Sequence, residues 1–508
     1  MVHKRNYRYI DDHRAILHNT SLEKNILHYD LISPLHPPIK HTKKKKHIMT
    51  SFETCFNVDG SCFSLARVGR IIAVSRLQQL LQERQQGRRP NLKDMVLQQI
   101  ELTEDILELL RKLGQELVWN SWKCIDCRNT FLNNNVNNND DQNNNQSNNI
   151  NPPNHSVLFE GAARMQVANF TSQTTNHFPR DATNFISLQT IISLNSTLTN
   201  LRIIHVEFTE RMALEVAQGL GQTKTLQSLC FSGTRKIGRY MDILAEGLNN
   251  NTSLLYFDVG DCQLTDVPLA HLIESCKNHP NLQTLDISNN QCSTLGIQAV
   301  ARDLLPHTKT LQILRLEMQR QRLDMSILGP AVAANSTLTT LNLANTHLND
   351  ADFRSVVDAL CSNKTIRHIN LSDNRNVTDE AVLYLAHRIP SFSSSLKILD
   401  IRKLQTRGSM QVLQAMAKGM ELNYHLEFIR FNYWRHVQYT RQILYWANAN
   451  RGGRVLLTKQ DSVPLGVWPL LFERAQNKHY FAPLPCQSRL DNVYYMFRNA
   501  PFLWEHRN

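Results

Sequence analysis

The chain of 508 residues contains no apolar run near the roughly 18 residues that a membrane-crossing helix needs. No apolar core of a secretion signal follows the opening stretch from Met1 to Arg8. Ten cysteines, scattered along the chain, make no disulfide framework. The lone Cys124-Ile125-Asp126-Cys127 pair has no second CxxC or spaced histidine pair to complete a zinc site, and no βαβ context for redox chemistry, so it reads as chance. The twenty histidines show no paired ligand motif, and no Ser/His/Asp set has a recognisable spacing. Gly219-Leu220-Gly221-Gln222-Thr223-Lys224 lacks the P-loop spacing and falls where a repeat helix ends, a place where glycines stop helices. These absences argue against an enzyme, a cofactor or a resident metal.

Hydrophobic residues make up 42% of the chain and charged residues 20%, as in an ordinary soluble protein. Cys230, Cys262, Cys276 and Cys361 stand where a small apolar residue would fit, which points to a reduced, intracellular setting, cytoplasmic or nuclear. The net charge of +12 is uneven: residues 1–50 hold ten Lys/Arg against four Asp/Glu. Such a leader suits nucleic acid, an anionic membrane or an acidic partner, but a solvated basic tail is the plainer reading, and nucleic acid is not the favoured partner. Lys43-Lys44-Lys45-Lys46 has the form of a nuclear-import run, and equally of a short lysine run in a tail.

What is present is a returning phrase. An apolar strand signature, clearest at Leu282-x-x-Leu285-x-Ile287, Leu338-x-x-Leu341-x-Leu343 and Ile366-x-x-Ile369-x-Leu371, has its first residue at Leu198, Leu226, Leu254, Leu282, Leu311, Leu338, Ile366, Leu396 and Leu426. The steps are 28, 28, 28, 29, 27, 28, 30 and 30 residues. Each strand phrase leads into a helix, and neither half can bury its apolar side alone, so the units must stack. A strand is narrower than a helix. The predicted fold is therefore an α/β solenoid, curved into a horseshoe with a parallel sheet on the concave side and helices outside.

Around this array the sequence predicts a basic leader over 1–60, a helical module over 61–123, an Asn-rich linker or insertion over 124–155, the solenoid over 156–450 and a C-terminal helical cap over 451–508. Leu65, Val68, Ile72, Leu77, Leu80 and Leu81 trace a first helix, Asn91 to about Ile100 a second, and Ile106, Leu109, Leu110, Leu113 and Leu117 a third after Thr103. This module would cap the solenoid, fold separately or bind a partner. Phe185 to Leu194 resembles a repeat helix without a well-formed strand before it. The segments around Trp468-Pro469-Leu470-Leu471 and Leu490 to Phe497 form the expected cap, or else an aromatic peptide that recruits a partner. The Asn-x-Ser/Thr triplets at Asn195, Asn335 and Asn363 fall at the helix-to-strand turn and read as turn residues.

The phrases from Asn370 to Val382 and from Leu341 to Ala351, with the step of about 28 residues, closely resemble the ribonuclease-inhibitor-like subfamily of leucine-rich repeats. The resemblance runs from Leu198 to about Asn450 and implies a horseshoe that binds proteins. The subfamily expects Asn or Cys eight residues after each first leucine; here the position reads Thr234, Cys262, Asn290, Gln319, Thr346, Asn374 and Leu404. Distorted turns are expected at Gln319 and Leu404.

Side chains between the strand leucines should face the concave side. The column four residues after each anchor is Arg202, Cys230, Asp258, Asp286, Arg315, Asn342, Asn370, Asp400 and Arg430; the next is small at Ser232, Gly260, Ser288, Ala344 and Ser372. Tyr256 and Phe428 are its chief aromatics. Basic ends around Asp258 and Asp286 make a bipolar face for another protein, although a solvated sheet is polar in any case. Two further classes remain. Ran GTPase-activating proteins have similar repeats, with Arg375 the residue to watch. Short helices before Trp119 and Trp122 give a faint likeness to a ubiquitin-ligase substrate-recognition subunit.

Overall fold

A computed structural model describes residues 62–66, 68–88, 92, 94–98, 105–106, 109–110, 112–113, 121–125, 167–171, 189, 192–193, 197–206, 208–406, 408–432, 436–456, 469 and 498. Ser51–Ala447 make one compact unit, built on a single parallel sheet of thirteen strands in strict chain order. Four long strands open it: β1 Cys62–Ala66, β2 Asp94–Gln98, β3 Ser121–Ile125 and β4 Val167–Thr171. Nine follow at the periodic anchors: β5 Asn200–Ile204, β6 Ser228–Cys230, β7 Tyr256–Asp258, β8 Thr284–Asp286, β9 Ile313–Arg315, β10 Thr340–Asn342, β11 His368–Asn370, β12 Ile398–Asp400 and β13 Phe428–Arg430. The array is a curved α/β leucine-rich-repeat solenoid. Every anchor from Leu198 to Leu426 is at most 2% exposed, so the phrase marks the core.

The connecting helices are α1 Arg70–Gln85, α2 Glu210–Gln222, α3 Met241–Asn249, α4 Asp266–Cys276, α5 Thr294–Ala299, α6 Met325–Ala334, α7 Asp350–Ser362, α8 Asp379–Arg388, α9 Met410–Leu422 and α10 Val437–Arg451. The irregular steps have local causes. In the 29-residue unit α5 runs on into a π-helical turn, Val300–Leu304, which absorbs the extra residue. In the unit from Ile366, α8 is extended by a 3₁₀ turn at Ile389–Ser391 containing Pro390. In the unit from Leu396, Gly408 at φ +60° lengthens the turn before α9.

Two buried side-chain ladders tie unit to unit. At the turn after each strand, Asn290 Nδ2 donates to the carbonyls of Val259, Ile287 and Ser288, and its Oδ1 accepts from Cys262 N and Leu264 N. Asn374 repeats the arrangement three units on. Gln319 keeps one such bond, Nε2 to Ile287 O at 2.8 Å, while its Oε1 is left without a partner. Leu404 fills the same place with a buried apolar side chain. The second ladder sits three residues before each anchor. Asn251, Asn335, Asn363 and Asn423 each accept from two backbone N–H groups of the next strand entry and donate to a carbonyl of the preceding unit. Asn335 and Asn363 are 6% and 2% exposed, as turn residues should be; Asn195 lies outside the described residues.

The N-terminal region departs from its expected helical character. Leu65 belongs to β1, and the expected helix from Asn91 to Ile100 is largely strand β2. Here Phe63 and Leu65, and Met95 and Leu97, bury alternate positions, the period of a strand. The helix after Thr103 is present where described, with Ile106, Leu109, Leu110 and Leu113 buried. Of the two tryptophans behind the ligase likeness, Trp122 lies on β3 and Trp119 is outside the described residues. The Asn-rich segment is an insertion between neighbouring strands, because β3 pairs directly with β4 at Trp122↔Ala168. A strand, β4, does precede the Phe185–Leu194 stretch. Cys124 is on β3, and Cys127 is outside the described residues. The leader over 1–60 and most of the C-terminal segment, including Trp468 and Phe497, also lie outside them.

Candidate functional site

The strand register brings the expected column together without a break. Arg202 pairs with Cys230, Cys230 with Asp258, Asp258 with Asp286, Asp286 with Arg315, Arg315 with Asn342, Asn342 with Asn370, Asn370 with Asp400 and Asp400 with Arg430. These positions share the concave face with Tyr256 and Phe428, two residues earlier on β7 and β13. Much of the column serves the backbone. The Oδ1 atoms of Asp258, Asp286, Asn342, Asn370 and Asp400 each accept from the N–H two residues on, capping the end of the strand. That local role accounts for the recurrence of Asp and Asn.

The ionic pattern differs along the wall. Asp400 is 1% exposed and accepts from Arg402 Nε and Nη2 and from Arg430 Nη1, so its charge is fully met. Asp373 at the rim faces Arg375 Nε at 3.0 Å and Lys403 Nζ at 3.8 Å. Arg375, on which the GTPase-activator reading depends, is thus paired inside its own turn.

Around β7 to β9 the acids outnumber their partners. Asp258 Oδ2 accepts from Cys230 Sγ at 3.2 Å and Tyr256 OH at 3.1 Å. Asp286 pairs with Arg315 Nη1 at 3.3 Å and accepts from Ser288 Oγ. Glu317 continues the strand line two residues beyond Arg315, and its Oε2 is shut off from solvent with no hydrogen-bond partner. Burial, reinforced by Asp286 and opposed by Arg315, pushes the Glu317 carboxyl up to about 7. Burial and then Asp286 also raise Asp258, and burial raises Tyr256 and the Cys230 thiol well above their ordinary values. Ionising either acid therefore costs more here than in water.

Sequence reasoning passed over Glu317. Its signal was present: it is an acid in a column that is small at Ser232, Gly260, Ser288, Ala344 and Ser372 and that holds Arg402 farther along. The adjacent Met318 is 48% exposed in a left-handed conformation, φ +57°.

On the helical side, a surface groove lined by Gly329, Pro330 and Ala333 of α6 and Arg354 and Asp358 of α7 has its charges met: Arg354 by Glu380, Asp358 by Arg388 and Tyr384. Gly219 and Gly221 lie inside α2, which is capped by Thr223 and not stopped by glycine. A Cβ at Gly219 would stand 2.7 Å from Ile192 Cβ, so that glycine serves packing. Among the described residues, no three His, Cys, Asp or Glu side chains gather as a metal site, and no helix is long and apolar enough to cross a membrane.

Leucine-rich-repeat family profiles match residues 362–386 and 281–302. Ribonuclease inhibitor of Sus scrofa is 23% identical over 259 residues, covering 44% of this chain and 57% of that protein. Protein TORNADO 1 of Arabidopsis thaliana is 21% identical over 236 residues, covering 45% of this chain and 15% of that protein. The chain thus spans about half or less of the length of these curated relatives. Among solved structures, an internalin of Listeria monocytogenes is 13% identical, covering 74% of this chain and 87% of its own, with a TM-score of 0.36. Leiomodin-1 actin-binding site 2 is 16% identical, covering 38% of this chain and 96% of its own, with a TM-score of 0.28.

Proposed function

We propose that this chain of ribonuclease-inhibitor-like leucine-rich repeats is a non-enzymatic scaffold whose concave sheet receives another protein inside the cell. The observation that carries the reading is the unbroken register from Arg202 to Arg430, which lines up mostly polar side chains, some half-buried and some buried, beside small ones on one wall. A protein surface can approach such a wall closely, and a few anchors such as Tyr256, Phe428, Arg202, Arg315 and Arg430 supply the features that partners favour. The described cysteines are free thiols, most of them buried, in keeping with a reducing compartment.

The test is affinity capture with the full chain, comparing Asp258→Arg together with Asp286→Arg against Asp242→Arg together with Glu246→Arg on the exposed side of α3. Thermal melts check that both variants fold. Loss of captured proteins from the concave variant alone is the expected result. An unchanged set from a folded concave variant rejects this face as the binding wall.

A further inference from the structure

One acidic place on the wall has, among the described residues, fewer donors than its oxygens can accept. Its sides are Asp258 and Asp286, in register on β7 and β8. Between them stands Gly260. A Cβ placed there would lie 3.2 Å from Asp258 Oδ1, 3.2 Å from Ser288 Oγ and 3.5 Å from Asp286 Oδ1. A side chain there would crowd both carboxylates, so the glycine lets Asp258, Ser288 and Asp286 stand close together on the wall. Glu317 lies beyond them, in the same column as Gly260 and Ser288, and its electrostatic neighbours are Asp286, Arg315 and Asp258. Its Oε2 is buried and accepts nothing. Among the described residues, Arg315 is the one cation hydrogen-bonded to these acids, through Asp286. A buried carboxylate oxygen without a donor is costly, and costlier beside like charges.

The neighbourhood also narrows what would fit. Small residues surround Glu317 in its column, so a long side chain can reach it past Ser288 and Ala344. Met318 holds an apolar side chain at the adjoining rim, in a backbone conformation that a bulky residue rarely adopts. Tyr256 supplies an aromatic ring on the strand that carries Asp258. Acid within and apolar surface at the edge match a lysine or arginine, whose stem is apolar and whose head is a multiple donor.

We propose that the notch formed by Asp258, Gly260, Asp286 and Glu317 receives a lysine or arginine side chain of a protein partner. The proposal rests on the concave-face reading above and specifies one point of it. The overall charge of +12 repels cationic peptides from most of the chain, so any that binds must find a local excess of acid.

The probe is a fluorescently labelled hexa-arginine peptide, with hexa-glutamate as its counterpart, followed by anisotropy with the full chain. Hexa-arginine is expected to bind in a way that depends on Glu317, whereas any hexa-glutamate taken up by the basic leader is indifferent to the Glu317 variants. Glu317→Gln is expected to weaken binding by about tenfold or more, and Glu317→Lys to abolish it. Asp242→Asn, on the exposed side of α3, leaves it unchanged. Because Glu317 Oε2 makes no hydrogen bond, Glu317→Gln retains the fold, and a thermal melt verifies this. No binding of hexa-arginine by the wild type, or binding by both Glu317 variants as tight as the wild type's, overturns the proposal. Phe428→Ala separates it from the broader reading, because it removes an anchor of the wall on β13, four strands from β9. Proteins captured by the wild type that are lost with Phe428→Ala and retained with Glu317→Gln would reject the notch and leave the concave wall standing.

Discussion

Two parts of one wall carry Asp and Arg in the same strand column, differ in the column beside it, and treat charge in opposite ways. Across β12 and β13, Asp400 is enclosed by Arg402 and Arg430 and accepts every donor it needs. Across β7 to β9, Asp258, Asp286 and Glu317 share one bonded arginine, and a carboxylate oxygen is left over. The first patch is finished by the chain itself and so contributes to folding. The second is left incomplete, and incompleteness on a binding wall is what a partner can complete. The distinction lies in the second column, where Arg402 supplies donors to Asp400 and Glu317 adds a further acceptor beside Asp286.

Breaking the finished patch should have the largest effect. Asp400→Ala leaves two guanidinium groups facing each other in a buried place, and is expected to lower stability by about 3–5 kcal/mol, read from urea midpoints. Asn374→Ala, which removes one rung of the turn ladder on the same side of the array, should cost roughly 2–4 kcal/mol, because Thr346 N and Leu348 N lose their acceptor.

His279 gives a third contrast. It occupies the place that Asn holds in other units, and its Nδ1 accepts from Asn281 N and Leu282 N. Burial lowers its pKa to about 4. The folded pKa is below the unfolded one, so this stabilisation is present above about pH 6.5 and is lost as pH falls toward 4. His279→Asn should flatten thermal stability across that window, with a difference on the order of 2–3 kcal/mol at its acid end.

Glu317 carries the opposite sign and the smallest effect. Its folded pKa is raised to about 7, so its protonated form favours the fold at low pH, and that contribution is lost as pH rises through 7. The groups facing it are Asp286 and Asp258, which oppose ionisation, and Arg315, which favours it. Glu317→Gln should therefore raise the melting temperature at about pH 8 by an amount equivalent to roughly 1–2 kcal/mol, and leave it unchanged near pH 4.5. A wild type and variant that differ equally at both pH values would erase the contrast between the patches.

The nine anchors from Leu198 to Leu426 were legible because leucines at a constant step have no other economical meaning than stacking. The wall column was legible for the same reason, since strand alternation places every residue four positions past an anchor on one face. The four earlier strands were not. Their spacing from β1 to β5 is irregular, and the Asn-rich insertion interrupts it between β3 and β4. The helical reading of Asn91–Ile100 followed from short apolar runs, which fit a helix face or a strand equally until pairing decides. Gly219 was misread as a stop because its reason lies in Ile192, twenty-seven residues away in the sequence. Glu317 was visible as an exception among small residues, but its missing donor is a property of neighbours that no single-chain pattern records.

The most direct test is the ¹³C carboxyl titration of Glu317, assigned by difference from Glu317→Gln and recorded with and without hexa-arginine. A midpoint near 7 that moves lower when the peptide is added is the predicted result. A midpoint near the ordinary glutamate value of about 4.3, indifferent to the peptide, would contradict the account.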